Sequence, residues 1–310
     1  AVSLDTLPRP SSERGLRKLT GGLWITGRIS RRVRSFDMGD SNLISRIKSY
    51  IVFDLTHIDR EIVHIYCEYI YNKIKSLIYS QPDLPSEIFF WKRHYHQYFI
   101  ETGQALFLRG KKTEESICFS IRHLKKSFIG TLYCLEIGCG PTSQFYTDEL
   151  KNYDNIEIIS VDPLAEVYQY LHNHYSSDYD IKCILGYGEK LTELFPKGHF
   201  HMVYSQNALD HSQNPEEFIK ASYDVLKPNG LLVLHGFIKE GTAAHWLGLH
   251  NWDITVKGDD LLLSNKNGTI FEKNMTDKLK MNVVYKQCTG NNIGDKYTII
   301  YEKYENKPIC

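Results

Sequence analysis

Short apolar runs alternate with helical stretches between residues 131 and 237, and this alternation constrains the fold of the 310-residue chain more than any other feature. Helical patterns at 143–153, 164–175 and 215–226 separate the runs. Alternating strands and helices at this spacing predict an α/β fold with a doubly wound, Rossmann-like sheet and helices on both faces. The predicted strands of this core are 131–137, 156–161, 181–186, 200–205 and 231–237.

The flanking sequence extends this core. Residues 282–288 and 297–304 predict two last strands, one of them antiparallel, which brings the sheet to seven. Residues 259–274 carry a turn signal between two β-like runs and predict an inserted hairpin. Before the core, apolar and aromatic residues recur at helical spacing. We therefore expect a helical cap or accessory region over 38–129, followed by the main domain over 130–310.

Residues 1–37 differ in composition from the rest, because they hold seven arginines and one lysine. Two interpretations stay open. The segment is a basic arm for phosphates or RNA, or it has a different coding history and precedes a start at Met38. Under either interpretation we expect a poorly ordered arm.

The overall composition excludes several classes of protein. The formal net charge is zero, which disfavours nucleic acid or an anionic membrane as the main partner. No apolar run approaches the roughly 18 residues of a membrane span, and no signal-peptide core is present, so we expect a cytoplasmic protein. Seven cysteines form no CxxC pair, and we expect reduced thiols and no metal. The sequence makes no prediction of the oligomeric state.

The segment "LEIGCGPTS" (135–143) ends the first predicted strand with a tight glycine turn. Gly138 and Gly140 permit close approach of a ligand to the backbone, but Ser143 replaces the third glycine of a dinucleotide site. Glu136 suits a cofactor with a cationic amine better than a pyrophosphate. Asp162 ends the second strand, where a carboxylate can bind the hydroxyls of a ribose. Amine, ribose and backbone-lined turn together indicate S-adenosylmethionine.

Residues 131–237 resemble a class I S-adenosylmethionine-dependent methyltransferase. The family's motifs occur in order as "LEIGCGPTS", "SVDP", "LGYGEKL", "FHMVYSQNALDHSQNP" and "VLKPNGLLVL". The resemblance implies roles for eight residues: the methionine part at Glu136, Gly138 and Gly140, the ribose at Asp162, the adenine edge at Gly188 and Glu189, and the methyl end at Gln206 and Asn207. The sequence departs from the family pattern at Tyr187, where an acidic residue is common, and at His201, where we expect a change in packing.

The segment 235–254, after the fifth strand, is dense in histidine and tryptophan and predicts an acceptor pocket. A hydroxyl acceptor needs a general base, and histidine is the usual one near neutral pH. His250 and His245 are the preferred bases. His211, after the fourth strand, is the third candidate, with ordering of the next helix as the competing role.

We therefore expect methyl transfer to oxygen on a small-molecule or glycan-linked acceptor. The "GLHNW" segment resembles, more loosely, methyltransferases of bacterial surface-glycan synthesis, and Trp246 and Trp252 suit stacking on a sugar. Alternatives are an RNA or protein methyltransferase that docks through the helical region, and a non-catalytic partner subunit that keeps the fold. A dehydrogenase is opposed by Glu136 and the missing third glycine.

Overall fold

The structure is a computed structural model. The predicted arm over 1–37 and the start of the accessory region lie outside the described residues. The structure describes residues 60–79, 84–103, 113–145, 147, 150, 155–175, 183–268, 270–272 and 279–304.

Within the described ranges, three α-helices precede the first strand: α1 (Arg60–Tyr79), α2 (Leu84–Thr102) and α3 (Glu115–Leu124). In α3 the buried residues Ile117 and Ile121 are one helical turn apart. They pack into the same apolar core as Leu132 of the first strand. α3 thus covers the sheet, although its sequence lies within the predicted accessory region.

The seven-stranded sheet has the order β3-β2-β1-β4-β5-β10-β9 and confirms the predicted Rossmann-like fold. Strands β1 to β5 are parallel, and β10 runs antiparallel to both of its neighbours. Strands β2 and β3 lie on one side of β1, and β4 and β5 lie on the other. The carboxyl ends of β1 and β4 therefore form the switch point, where sheets of this kind bind ligands. The strands are β1 (Leu132–Ile137), β2 (Ile156–Asp162), β3 (Cys183–Leu185), β4 (Phe200–Gln206), β5 (Leu226–Phe237), β9 (Met281–Cys288) and β10 (Lys296–Lys303).

Four further α-helices lie among the described residues that follow the first strand: α4 (Ala165–His174), α5 (Leu191–Leu194), α6 (Pro215–Val225) and α7 (Glu240–Ala243). α6 begins as predicted, since the Asn214 side chain accepts hydrogen bonds from the N–H groups of Glu216 and Glu217 at 3.0 and 3.2 Å. This cap satisfies donors that the first turn leaves without helical partners. Phe218 and Ile219 of α6 pack into one apolar core, and α3 packs into a second, so helices cover both faces of the sheet.

A separate three-stranded antiparallel sheet contains β6 (Trp252–Lys257), β7 (Asp260–Asn265) and β8 (Ile270–Glu272). The β7–β8 pair is the predicted hairpin. The sequence interpretation was wrong about β6, whose first residues it assigned to a loop. Trp252 and Ile254 are buried, and pairing with β7 satisfies the backbone of β6, which makes this segment a strand.

The helix predicted over 143–153 is wrong over residues 143–145, which form a turn. The Gln144 N–H donates to the Glu136 carboxylate at 2.8 Å, and the Phe145 N–H donates to Ser143 Oγ at 3.1 Å. Side-chain oxygens here bind the N–H groups that a helix would pair along its axis.

No helix among the described ranges combines the length and apolar character needed to cross a bilayer.

His201 occupies a structural position between β1 and β5, consistent with the predicted change in packing. Its Nδ1 accepts a hydrogen bond from the Tyr133 N–H at 2.9 Å, and Lys227 Nζ lies 3.0 Å from Nε2. Burial, followed by the positive charge of Lys227, lowers the pKa of His201 to about 4. The folded state therefore resists protonation of this ring.

We expect the free energy of unfolding to fall as the pH drops from about 6.5 to about 4, because the unfolded chain takes up the His201 proton first. Urea unfolding at several pH values measures this. His201→Gln, which has no titrating ring, should show a shallower dependence. The control is His174→Gln, a substitution at an exposed histidine. If the pH dependence of the unfolding free energy has the same slope in His201→Gln as in the wild type, the assignment of this dependence to His201 is wrong.

Candidate active site

A cavity of about 560 Å³ opens at the carboxyl ends of the central strands. Ile137 and Asp162, the last residues of β1 and β2, form its floor together with Ala208 after β4. The opposite wall comes from α2, from the segment 246–252 and from the β7–β8 turn at 265–267. The cavity thus lies at the switch point of the sheet, with a size typical of small-molecule sites.

The glycine turn forms part of the cavity wall. Gly138 and Gly140 have φ values of +69° and +62°, in the left-handed region that side chains disfavour. A Cβ on Gly138 would also lie 2.3 Å from the Cβ of Ala208. Glycine is therefore required at Gly138 by both backbone conformation and packing.

Asp162 holds this turn against the end of β2. Its Oδ2 accepts a hydrogen bond from the Gly140 N–H at 3.0 Å, and its Oδ1 accepts one from the Leu164 N–H at 2.8 Å. The side chain is 5% exposed and lines the cavity. One carboxylate thereby fixes two backbone segments and also lines the ligand space.

Glu136, predicted to contact the methionine part, lies behind the turn. Strand side chains alternate between faces, and Ile137, its neighbour, is the one that lines the cavity. The Glu136 carboxylate accepts hydrogen bonds from the Gln144 N–H at 2.8 Å and from Ser160 Oγ at 3.0 Å. Within the described part of the chain, the structure gives Glu136 a place in holding the turn and no place on the cavity wall.

Gly188 and Glu189, assigned to the adenine edge, both line the cavity. A Cβ on Gly188 would lie 2.2 Å from the Phe218 ring, so close packing of α6 requires a glycine there. Glu189 Oε1 accepts a hydrogen bond from the Gln213 N–H at 2.8 Å, which joins this segment to the loop after β4.

Gln206 and Asn207 do not appear among the described residues of the cavity wall. Gln206 Oε1 accepts a hydrogen bond from Tyr204 at 2.8 Å. Asn207 has a φ of +49°, and its N–H donates to the carbonyl of His235 at 3.0 Å. This backbone turn presents Ala208, the next residue, to the cavity.

Two of the three predicted histidines meet at the cavity wall. His250 Nδ1 lies 2.8 Å from Asp210 Oδ2 and 3.2 Å from His211 Nε2. On the far side of the His211 ring, Nδ1 is 3.7 Å from an oxygen of Glu87. The rings of His211 and His250 cross nearly edge to face. Histidines separated by 39 residues in sequence thus form one group with a buried carboxylate.

His245 is not part of this group. Its backbone has a φ of +55°, at the end of the turn that follows α7, and its side chain is exposed. The described cavity wall contains its neighbour Trp246 instead. His245 is therefore a weaker candidate for the base than His250, because its side chain is exposed and is not part of the described cavity wall.

Trp246 and Trp252 both line the cavity, as expected for an acceptor pocket. Trp252 is fixed by a hydrogen bond from Nε1 to the carbonyl of Ser212 at 2.8 Å. Trp246 packs on Gly241, where a Cβ would lie 2.6 Å from the indole.

Residues 135–234 match the family model for a methyltransferase domain. This range contains the glycine turn, Asp162, Gly188 and the loop after β4, and it spans most of the region of the five parallel strands, β1 to β5. The chain carries a class I S-adenosylmethionine-dependent methyltransferase domain. S-adenosylmethionine is its cofactor.

Solved methyltransferase structures resemble this domain. The CurJ carbon methyltransferase is 13% identical with a TM-score of 0.45, and the match covers 61% of this chain and 54% of that one. A methyltransferase from Methanosarcina mazei is 18% identical, with a TM-score of 0.38 and coverage of 58% and 96%. The N-methyltransferase NodS from Bradyrhizobium japonicum is 13% identical, with a TM-score of 0.39 and coverage of 62% and 96%. No curated protein matches significantly. None of the named activities carries over at these similarities.

The histidine group of the methyltransferase has an asymmetric electrostatic environment. Burial acts to lower the pKa of His250, but the hydrogen bond with Asp210 and the charges of Asp210, Glu240 and Glu87 outweigh it and raise this pKa above 6.5. Burial lowers the pKa of His211 to about 3. The two rings therefore differ in protonation, since His250 binds a proton more readily than His211 does.

The sequence interpretation missed two acidic residues of the methyltransferase site, Asp210 and Glu87. Asp210 stands within "ALDH", where only the histidine was considered. Glu87 lies on α2, and the spacing of Leu84, Glu87 and Trp91 is the signal that places all three on one helix face. All three line the cavity, so the accessory helix contributes to the site directly.

Proposed function

We propose that this methyltransferase transfers a methyl group to a hydroxyl of a small-molecule or glycan-linked acceptor, with His250 as the general base. The observation that carries the proposal is that His250, on the wall of the cavity that also contains the glycine turn, pairs with the buried Asp210. Methyl transfer requires the acceptor to lie close to the methyl group of the cofactor. A base and a glycine turn for the cofactor in the same cavity meet this requirement.

Bound S-adenosylmethionine supplies an electrophilic methyl group on a sulfonium. The residues available to hold it are Asp162 for the ribose, the backbone of Gly138 and Gly140 for the methionine part, and Gly188 with Glu189 near the adenine. The positive φ values of the two turn glycines and the carboxylate on the cavity floor fit this cofactor.

The arrangement of Asp210 and His250 suits proton uptake. With Nδ1 hydrogen-bonded to Asp210, the ring presents Nε2 as the proton acceptor, and the carboxylate stabilises the imidazolium that forms. The nearby negative charges of Glu240 and Glu87 act in the same direction. The acceptor hydroxyl is thus deprotonated as it attacks.

The walls of the cavity support a small or sugar-like acceptor. Trp91, Trp246 and Trp252 present aromatic surface, and Asn265 and Asn267 of the hairpin turn present polar groups. Aromatic faces with a few amide groups are typical of sites that bind sugars and other small polar ligands.

The proposal is tested first by calorimetry with S-adenosylmethionine, S-adenosylhomocysteine and NAD. We expect the two sulfur ligands to bind and NAD not to bind. An acceptor screen that begins with sugars and sugar nucleotides follows. Binding of NAD alone, or of none of the three, would contradict the proposed function.

One feature of the histidine group requires a control with a chelator. Ligand atoms of Asp210, His211 and His250 lie within 4.8 Å of one another, close enough to bind a metal ion together. A cation there would occupy Nδ1 of His250 and prevent its action as a base. We expect full turnover in EDTA, and loss of turnover that added zinc or magnesium restores would overturn the direct role of His250.

A further inference from the structure

Helix α2 is held firmly against the sheet domain. Trp91 is 2% exposed and meets the Tyr168 ring of α4 edge to face at 5.9 Å. Tyr95 is fully buried, and its hydroxyl lies 3.0 Å from His172 Nε2. A buried aromatic and a buried hydrogen bond on one helix face fix its rotation. The side chain of Glu87, one turn before Trp91, therefore has a defined position over the cavity.

Glu87 lacks a close ion-pair partner within the described part of the chain. Its side chain is 17% exposed, and its one ion-pair contact within the described part of the chain is the 3.7 Å approach to His211 Nδ1. His211 is neutral near pH 7, since burial lowers its pKa to about 3. This contact therefore does not balance the charge of the carboxylate.

The other charged groups around Glu87 carry both signs. Burial raises the pKa of Glu87, the positive charge of His250 lowers it, and the smaller effects of Asp162 and Asp210 raise it. Lys266, on the hairpin turn, is the single lysine or arginine among the described residues that line the cavity. A mostly buried carboxylate without a close cationic partner is costly.

We propose that Glu87 binds a protonated amine of a ligand in this cavity. The inference rests on the proposed function, because it assumes that cofactor and acceptor share the cavity. The amine has two sources, the α-ammonium of S-adenosylmethionine or an amino group on the acceptor. The first agrees with the position of Glu136, whose carboxylate is bound behind the turn and faces away from the cavity.

Glu87→Gln keeps the size of the side chain and removes its charge, and Glu101→Gln provides a matched control. Glu101 is also on α2, is exposed, and accepts a hydrogen bond from Gln97 at 2.9 Å outside the cavity. Equal melting temperatures of the two variants and the wild type would exclude a folding effect.

Calorimetry with two adenosine ligands identifies the source of the amine. S-adenosylhomocysteine carries the α-ammonium, and 5′-deoxy-5′-methylthioadenosine has the same adenosine and sulfur without the amino acid. If Glu87 binds the cofactor amine, Glu87→Gln weakens S-adenosylhomocysteine binding by about 10-fold or more, the effect of losing a charged hydrogen bond, and leaves methylthioadenosine binding unchanged. Glu101→Gln should change neither affinity.

If the acceptor supplies the amine, Glu87→Gln leaves both adenosine ligands unaffected. It then weakens binding of glucosamine, but not of glucose, to the complex with S-adenosylhomocysteine. The proposal is overturned if all four affinities stay unchanged, or if both adenosine ligands lose affinity equally. If the wild type binds neither adenosine ligand, the proposed function fails first, and the role of Glu87 fails with it.

Discussion

His250→Ala is expected to lower kcat by about 100-fold or more, the usual contribution of a general base, while the affinity for S-adenosylmethionine stays nearly unchanged. The ring pairs with Asp210 at 2.8 Å and is proposed to take up the proton of the acceptor, so its removal should affect proton uptake more than cofactor binding. Steady-state kinetics with a competent acceptor, together with calorimetry of the cofactor, separates the two effects.

The pH dependence gives a second measurement of the same residue. His250 must be neutral to accept a proton, and its pKa lies above 6.5 because of Asp210, Glu240 and Glu87. We expect kcat/KM to fall as the pH drops through that raised pKa. Asp210→Asn removes the main charge that raises it, so the acidic limb should move to lower pH as the rate decreases.

Two histidine variants control for the loss of a ring. His123 is half-buried and pairs with Glu302 at 3.1 Å, much as His250 pairs with Asp210, but it lies outside the cavity. His123→Ala and the exposed-site variant His245→Ala should both keep near wild-type kcat. Unchanged turnover in His250→Ala would overturn the assignment of the base.

Asp162→Ala is expected to reduce the affinity for S-adenosylhomocysteine by at least about 100-fold, since two charge-assisted hydrogen bonds are lost. The substitution removes the acceptor for the N–H groups of Gly140 and Leu164 as well as the proposed ribose contact. We therefore expect the variant to lose both the ribose contact and the shape of the turn. Calorimetry measures the resulting loss of affinity.

The matched control for Asp162→Ala is Asp224→Ala. Asp224 pairs with Lys197 at 3.3 Å and does not line the cavity within the described chain. Its variant should bind the cofactor normally. Circular dichroism should show both variants folded, and normal affinity in a folded Asp162→Ala protein would show that the ribose assignment is wrong.

Local sequence patterns predicted the fold well. The alternation of strands and helices gave the sheet, and the cap at Asn214 gave the start of α6, because period, capping and turn chemistry act over a few residues. The same patterns failed at β6 and at residues 143–145. At β6, pairing with the next strand, β7, decided the backbone, and at residues 143–145 hydrogen bonds to the side chains of Glu136 and Ser143 decided it.

The sequence by itself determined that the chain has a glycine turn, an acid at the end of β2 and a dense histidine segment after β5. Only the tertiary structure decided which of these groups share the cavity. It placed Glu136 behind the turn, exposed His245, and brought His250 to Asp210 and Glu87. The physical reason is that the direction of a side chain depends on the backbone conformation and on packing between elements. The φ of +55° at His245 and the packing of α2 against α4 are examples, and neither produces a recognisable spacing of residues in the sequence.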